Sequence, residues 1–572
     1  MTHPEVYTIP PHRAFADALA AGLLAKHKDP LELARGIVLV PTNRAARAIQ
    51  DGFVRRAESG LLLPRLVPIG DPEIGESLGA ALDPIGGGEP VPPAIDPLQR
   101  TMRLAALVQQ VRARHGDPID AGEAVRLARD LAATLDALLI ERVDPSRLKH
   151  CVEEELQDHW KLSLEQLETI LDRWPEDLEK LGKIDMAERR NRLLGHVAKR
   201  WADRPPPGFV VAAGIATTAP AIAGVLRTVA RMPKGTVVLP ALDLDMPGEE
   251  WEALGPFEPD PETGKRKRAI ETHPQYALKL LLDRIGVARA EVERWRWGGG
   301  HDSPAVRSRA ISNAMAPAQF TGKWNELPPR ERRLTGVRAL ELATPAEEAQ
   351  VIALALREAI EEPGRTAALV TPDRQLARRV SAHLARWGIA ADRGPHAPKL
   401  RPETRAWWAE TARLLAPLEK LAGDWASAIA AIRETATALA GDAAWSGMAG
   451  RRAAEFIADL EMRAAEGPGD TELADLPMLF EQLMAEIAIR PAQGGHPRIS
   501  IWGSLEARLQ QADLMVLGGL NEGTWPGLPQ PDPWLAPRLR AELGLPGLER
   551  RIGLSAHDLA SALGGRQVLV TR

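Results

Sequence analysis

The sequence predicts an α/β protein built on two open parallel sheets, each interrupted by a tract of helices. Three observations carry this expectation. Short runs of consecutive apolar residues such as Ile37-Val38-Leu39-Val40 read as strands covered on both faces, the habit of parallel sheets. These runs alternate with segments of helical period, which gives a βαβα order. Two long stretches, 96–200 and 401–490, carry helical periodicity with no strand signal inside them.

The elements follow in order. A strand over Val6–Ile9, a helix over Arg13–Lys26, a strand over Gly36–Pro41 and a helix over Arg44–Arg56 open the first α/β unit, with Pro41-Thr42-Asn43 supplying a turn and an N-cap. From Leu66 to Pro97 the chain is rich in Gly, Pro and Asp, a composition that predicts a loop. Residues 1–95 thus form the first part of this unit. Residues 96–200 form a helical insertion, striped by Leu104, Leu107, Val108 and Val111. The unit resumes over 201–335 with the strand Phe209–Ala213, a helix entered through Thr217-Thr218-Ala219-Pro220, the strand Val237–Pro240 and a linker.

A second unit begins at 336. It is read as strand Arg338–Leu342, helix Pro345–Ala359, strand Thr366–Val370, helix Arg374–Trp387 and a short strand after Gly388, up to residue 400. An Ala-rich helical insertion covers 401–490. The α/β pattern returns over 491–572 with strand Ile499–Trp502, helix Leu505–Gln511, strand Leu514–Leu517 and a last strand from Gln567. Because the sequence stops inside that strand, the expectation is a fragment of a longer protein.

At 572 residues the chain has room for three to five folding units at roughly 100–200 residues each. Its 45% apolar and 26% charged residues are those of an ordinary globular protein. The single cysteine, Cys151, excludes an internal disulfide, a four-cysteine zinc site and an iron–sulfur cluster, and fits a reducing cytoplasm. The 13 histidines form no metal-ligand spacing, so no metal is expected. Glu5, His12, Arg13 and Asp17 break any secretory leader. The uncharged run Gly208–Leu226 is rich in Ala, Gly, Thr and Pro, and reads as strand, turn and helix rather than a membrane span. A net charge of −5 leaves the partner open, since a local basic channel is compatible with an acidic total.

The most informative segment runs from Trp502 to Trp534. It joins a strand, a short helix carrying Glu506 and Arg508, a buried strand, and the loop Gly518-Gly519-Leu520-Asn521-Glu522-Gly523. Such a loop at a strand's carboxyl end can offer backbone N–H groups to phosphate. The alternative is a glycine-rich turn that only closes the sheet.

The run L-N-E-G-T-W-P (520–526), with S-L-E-A-R (504–508), R-I-G-L-S-A-H-D (551–558) and the final V-L-V-T-R, resembles the AddB family of double-strand break repair proteins. In order along the chain, Y-T-I-P-P (7–11), P-T-N-R-A-A-R (41–47), L-P-R-L-V-P-I-G-D (63–71), V-V-L-P-A-L-D (237–243) and H-P-Q-Y (273–276) add to the resemblance. It implies two RecA-like domains of the superfamily 1 helicase type, each with an inserted α-helical domain. It also implies a heterodimer with AddA, which supplies helicase and nuclease activity together with ATP and Mg, and a role in resecting broken DNA ends. Family members end in a nuclease domain of PD-(D/E)xK type, often with an iron–sulfur cluster, which this sequence does not contain.

The sequence departs from an active motor at its first strand. A P-loop would place G-x-x-x-x-G-K-[ST] there, whereas Pro10-Pro11-His12-Arg13 offers neither glycine nor lysine and loses two N–H donors. No cofactor is therefore expected in this chain, and ATP hydrolysis is not. The resemblance implies a subunit that binds single-stranded and duplex-end DNA and in some members reads a Chi signal. Its candidate DNA contacts are Thr42, Arg44 and Arg47 at one helix start, Thr217 and Thr218, Glu506 and Arg508, Asn521, Glu522 and Trp525, and Arg551. Arg550 belongs to the same basic end, and Arg572 resembles the arginine that meets a nucleotide's terminal phosphate. Simpler roles stand beside these: a solvated helix face for Arg44 and Arg47, a helix cap for Thr217 and Thr218, and a strand-end turn for Asp243 and Asp245. The Lys265-Arg266-Lys267-Arg268 run reads as a solvated loop, and most of the 15 tryptophans as packing. The other function classes are a metabolic α/β enzyme of nucleotide-sugar transferase type and an interaction scaffold that does not touch DNA.

Overall fold

The computed structural model describes residues 4–57, 60–70, 90–144, 158–258, 266–298, 302–389, 425–469, 476–485 and 496–572, with a few short pieces between them. Cys151, Lys265, Gly299, Gly300 and the strand expected after Gly388 lie outside the described residues.

Eleven described strands form two sheets in which every pairing is parallel. The first sheet runs β3 (Arg65–Pro68), β2 (Ile37–Val40), β4 (Val210–Ala213), β5 (Gly235–Pro240), β1 (Val6–Ile9) and β6 (Glu293–Arg294). The second runs β7 (Val337–Leu340), β11 (Gln567–Thr571), β10 (Leu514–Leu517), β8 (Ala367–Val370) and β9 (Ile499–Trp502). Side chains alternate between faces in the two-residue period of a strand. On the first sheet Leu39, Val210 and Val237 enter the core on one side, while Val38, Val211 and Val238 enter the core on the other. The second sheet repeats this with Leu369 and Val516 against Val370 and Leu517. Both faces are covered, as the unbroken apolar runs require.

The strand β3 corrects the expectation of a loop from Leu66 onward. Its register follows from pairing Ile37 with Arg65 and Val40 with Pro68. As an edge strand it tolerates the exposed Arg65 and the terminal proline that disguised it. A second correction concerns Leu505–Gln511. Only one turn, Ser504–Ala507, is helical, because Leu509 turns into the left-handed region at φ 63. That turn carries the Leu509 side chain across to Gly214 of the first unit, where a Cβ would sit 2.3 Å from Leu509 Cδ1.

The helical tracts meet. Helices Pro97–Arg114, Ala121–Glu141, Asp158–Lys180 and Met186–Asp203 stand between β3 and β4 in the chain, and Trp425–Ala440, Gly447–Arg463 and Leu476–Met484 between β8 and β9. Leu104, Leu131 and Leu167 of the first tract share one core with Ile429, Leu460 and Leu479 of the second. The segment after the L-N-E-G-T-W-P loop is anchored in the same body. Trp534 donates its indole N–H to the Leu127 carbonyl at 3.1 Å, and Asp532 and Arg540 form a buried ion pair at 2.6 Å.

The helix Arg550–Leu563 joins the two α/β units. Gly553 lies so close to the first unit that a Cβ would meet the Glu271 carbonyl oxygen at 2.1 Å, and at Gly564 one would meet that of Pro11 at 1.9 Å. Beyond the helix end, the buried Arg307 guanidinium donates to the carbonyls of Gly565, Thr335 and Arg566. No described carboxylate opposes it, and burial pushes its pKa down.

Candidate functional site

The carboxyl ends of strands in an open α/β sheet are where ligands gather, because loops diverge there and helix starts point inward. The two units bring such edges together around one cavity of about 660 Å³. The first sheet contributes the residues after β1, β2, β4 and β5, and the second contributes the Ser504–Gln511 segment, Trp525 and one face of helix Arg550–Leu563. Ile140 and Arg190 of the first helical tract close one side. The lining is mostly apolar, with four arginines, Arg13, Arg190, Arg508 and Arg550, set against one acid, Asp558, among the described residues.

Motifs far apart in sequence meet here. Arg508 holds Asp558 through two bonds, Nε to Oδ1 at 2.7 Å and Nη2 to Oδ2 at 3.0 Å, the fork geometry that suits a guanidinium and a carboxylate. Arg44 of the first unit lies 3.8 Å from Glu506 of the second. Arg550 crosses the seam: it donates to Thr218 Oγ1 at 3.2 Å, lies 3.6 Å from Glu141 and 3.7 Å from Glu271, and stands 5.7 Å over the Tyr276 ring. Burial raises the Glu271 carboxyl's pKa, an effect that Arg550 opposes.

Of the remaining expected contacts, Thr42, Thr217, Thr218 and Trp525 line the cavity. Thr42 also caps its helix, accepting from the Ala45 N–H at 3.2 Å. Thr217 accepts from the Ala219 N–H at 3.5 Å. Trp525 is buried, and its indole N–H has no partner among the described residues. Arg47 and Arg551 are exposed, as are Asn521 and Glu522, and these four are not part of the lining. Arg572 lies elsewhere, bonded to Glu341 at 2.8 Å beside the edge strand β7.

The first three residues of the glycine-rich loop after β10 spend their N–H groups within the chain. Gly518 donates to the Val370 carbonyl, Leu520 to that of Thr571, and both Thr524 and Trp525 to that of Asn521. Gly519 donates to Glu348 Oε1 at 2.8 Å, an acid buried beneath the loop that also accepts from Thr571. A carboxylate of the chain thus takes the position an incoming phosphate would need at Gly519. Asp243 likewise serves a turn, accepting from the N–H groups of Asp245 and Met246, while Asp245 pairs with Arg294 at 2.5 Å.

The turn after β1 is equally closed. Pro10 and Pro11 have no N–H, His12 N donates to Ser308 Oγ, and Arg13 N donates to the Pro10 carbonyl. Sequence reasoning missed Arg190 and the depth of Arg550; only the arginine content hinted at either. Burial pushes down the pKa of Arg190 and of His557, and His557 lines the same cavity. No group of three or more His, Cys, Asp or Glu suited to a metal occurs among the described residues. Comparison with models of protein families finds no match, and comparison with curated proteins finds none.

Proposed function

We propose that this chain is a helicase-like, DNA-binding subunit of an AddAB-type helicase–nuclease, which guides single-stranded DNA during end resection and leaves ATP hydrolysis to its partner. The observation that carries the reading is the convergence of P-T-N-R-A-A-R, S-L-E-A-R, L-N-E-G-T-W-P and R-I-G-L-S-A-H-D on one cleft, through Arg44, Glu506, Arg508, Asp558 and Trp525. Two parallel sheets with facing carboxyl edges are compatible with the two RecA-like domains that such a subunit would have. The helical tracts would be the inserts of those domains. AddA would supply the motor, its ATP and its Mg. The closed turn after β1 supports a chain that does not itself hold nucleotide phosphates.

DNA would be held by phosphate contacts from Arg44 and Arg47, exposed on the helix that starts at the cavity-lining Thr42, with the aromatic and apolar lining of the cleft beyond them. A metabolic enzyme would need paired carboxylates, and the one acid of the described lining, Asp558, is already bound to Arg508. The test is fluorescence anisotropy with a single strand, a duplex and a forked end at low and moderate salt, comparing the chain with Arg44→Gln/Arg47→Gln. Salt-sensitive binding that prefers single strand or fork and weakens about tenfold in the double variant is expected, since two phosphates are no longer neutralised and about 0.7–0.9 of a counterion is no longer released at each. Absence of binding at low salt would return the chain to the scaffold class, and binding that the substitution leaves unchanged would remove Arg44 and Arg47 from the contact.

A further inference from the structure

A second basic surface lies outside the cleft, on the helix Arg374–Arg386. Its buried face is Leu376, Val380 and Leu384, which pack against the second sheet. The opposite arc carries Arg374, Arg378, Arg379 and Arg386, all exposed. At 100° per residue these four fall within roughly 140° of one another, with no acid between them. None has an ion-pair partner among the described residues; Arg379 reaches only the Gln375 amide, at 3.5 Å. At the far end, Trp387 is exposed and stacks with Arg357, 4.9 Å from its ring.

At its amino-terminal end this arrangement opposes the helix's own stability. Arg374 lies in the first turn, where the helix dipole favours negative charge, while Arg386 sits in the last turn, where a cation is favoured. Arg374 and Arg378 are an i,i+4 pair of like sign, which is destabilising by about 0.2–0.5 kcal/mol. The one acid at that end, Asp373, spends Oδ1 on the N–H groups of Gln375 and Leu376. In a chain of net charge −5, four arginines on one arc with no ion-pair partner among the described residues favour an external polyanion.

We propose that this arc binds the phosphodiester backbone of duplex DNA, as a contact separate from the cleft. From Arg374 to Arg386 the helix extends about 18 Å, over which each strand of a duplex presents about five phosphates. The helix starts beside the Gly518–Gly519 turn, where a Cβ on Gly519 would lie 3.6 Å from the Asp373 Cβ. A duplex seated on the arc would therefore approach the same sheet edge that borders the cleft. The choice of DNA over another polyanion rests on the function proposed above.

The experiment compares the chain with Arg374→Gln/Arg378→Gln/Arg386→Gln on three probes: a blunt duplex, a short single strand and polyglutamate. For the duplex, the slope of log affinity against log salt should shrink by about 2–3, near 0.9 for each phosphate no longer neutralised. Single-strand binding should stay within about twofold, while the thermal midpoint stays equal or rises as like-charge repulsion is removed. The Lys triple variant should keep the duplex slope. An unchanged duplex slope in the Gln variant, with Arg44→Gln/Arg47→Gln still weakening the single strand, overturns this surface and leaves the cleft reading intact. A loss confined to polyglutamate overturns it in favour of an acidic protein segment. No DNA binding by the unmodified chain defeats both readings.

Discussion

Arg508 and Asp558, fifty residues apart, close on each other through two hydrogen bonds at the seam of the two α/β units. The carboxylate is nearly buried and the guanidinium about one-third exposed, with 6% and 35% of their side-chain surfaces accessible. Arg508 Nη1 is the one guanidinium nitrogen left without a protein partner among the described residues. A DNA contact by Arg508 that keeps the pair must use the Nη1 hydrogens or the second Nη2 hydrogen, since Nε and one Nη2 hydrogen are held by Asp558.

Removing either partner should therefore cost more than a surface ion pair. Asp558→Asn keeps the shape and strands the arginine. A loss of about 2 kcal/mol is expected, below the 3–5 kcal/mol of fully buried pairs because water still reaches Arg508. In urea denaturation of Arg508→Ala, Asp558→Ala and the double variant, the two losses should overlap by about 1–2 kcal/mol. Strict additivity would mean that the pair contributes nothing in solution.

Much of the fold was legible and much of the site was not, for one physical reason. Apolar runs such as Ile37–Val40 and Leu514–Leu517 announce strands because burial on both faces leaves its mark within four consecutive residues. β3 escaped because an edge strand keeps polar residues, and the Leu505–Gln511 helix was overdrawn because Leu509 answers to Gly214, not to its neighbours. The helical tracts advertise apolar faces without naming what those faces meet, so their common core was invisible. Whether an arginine is free depends on partners hundreds of residues away. Arg44 finds Glu506 and Arg550 finds Glu141, whereas Arg47, alike in sequence, finds no described partner.

Stability should fall in mild acid through His273. Its ring is buried, Nδ1 accepts from the Gln275 N–H at 3.1 Å, and burial holds its pKa at about 4, below the ordinary 6.5. Because the folded pKa is the lower one, the unfolded chain takes up the proton first. The contribution is thus present above pH 6.5 and lost as pH falls toward about 4. From about pH 7 to about pH 5 the loss should be roughly 2 kcal/mol. Burial lowers the pKa of His557 and adds in the same direction, while the raised carboxyl pKa values of Glu271 and Asp185 act in the opposite one. Comparing urea midpoints of the chain and His273→Gln at both pH values isolates the term: the variant should lose about 2 kcal/mol less. Equal losses would show that the ring is solvated in the folded protein.

Nucleotide should leave the chain unaffected. A phosphate-binding turn needs several backbone N–H groups free and aimed at one point. After β1 the prolines remove two, Ser308 Oγ and the Pro10 carbonyl take the next two, and the Pro11 carbonyl is pressed against Gly564. After β10 the Glu348 carboxylate holds the Gly519 donor. ATP with Mg should therefore show no turnover and no saturable binding by calorimetry, and should not shift the anisotropy midpoint for single-stranded DNA. Opening the turn after β10 with Glu348→Gln lowers its negative charge but leaves β1 closed, so that variant should also fail to bind. Saturable ATP binding by the unmodified chain would mean that the phosphates are held by the cavity arginines, and Arg190→Gln and Arg550→Gln would then be the variants to abolish it.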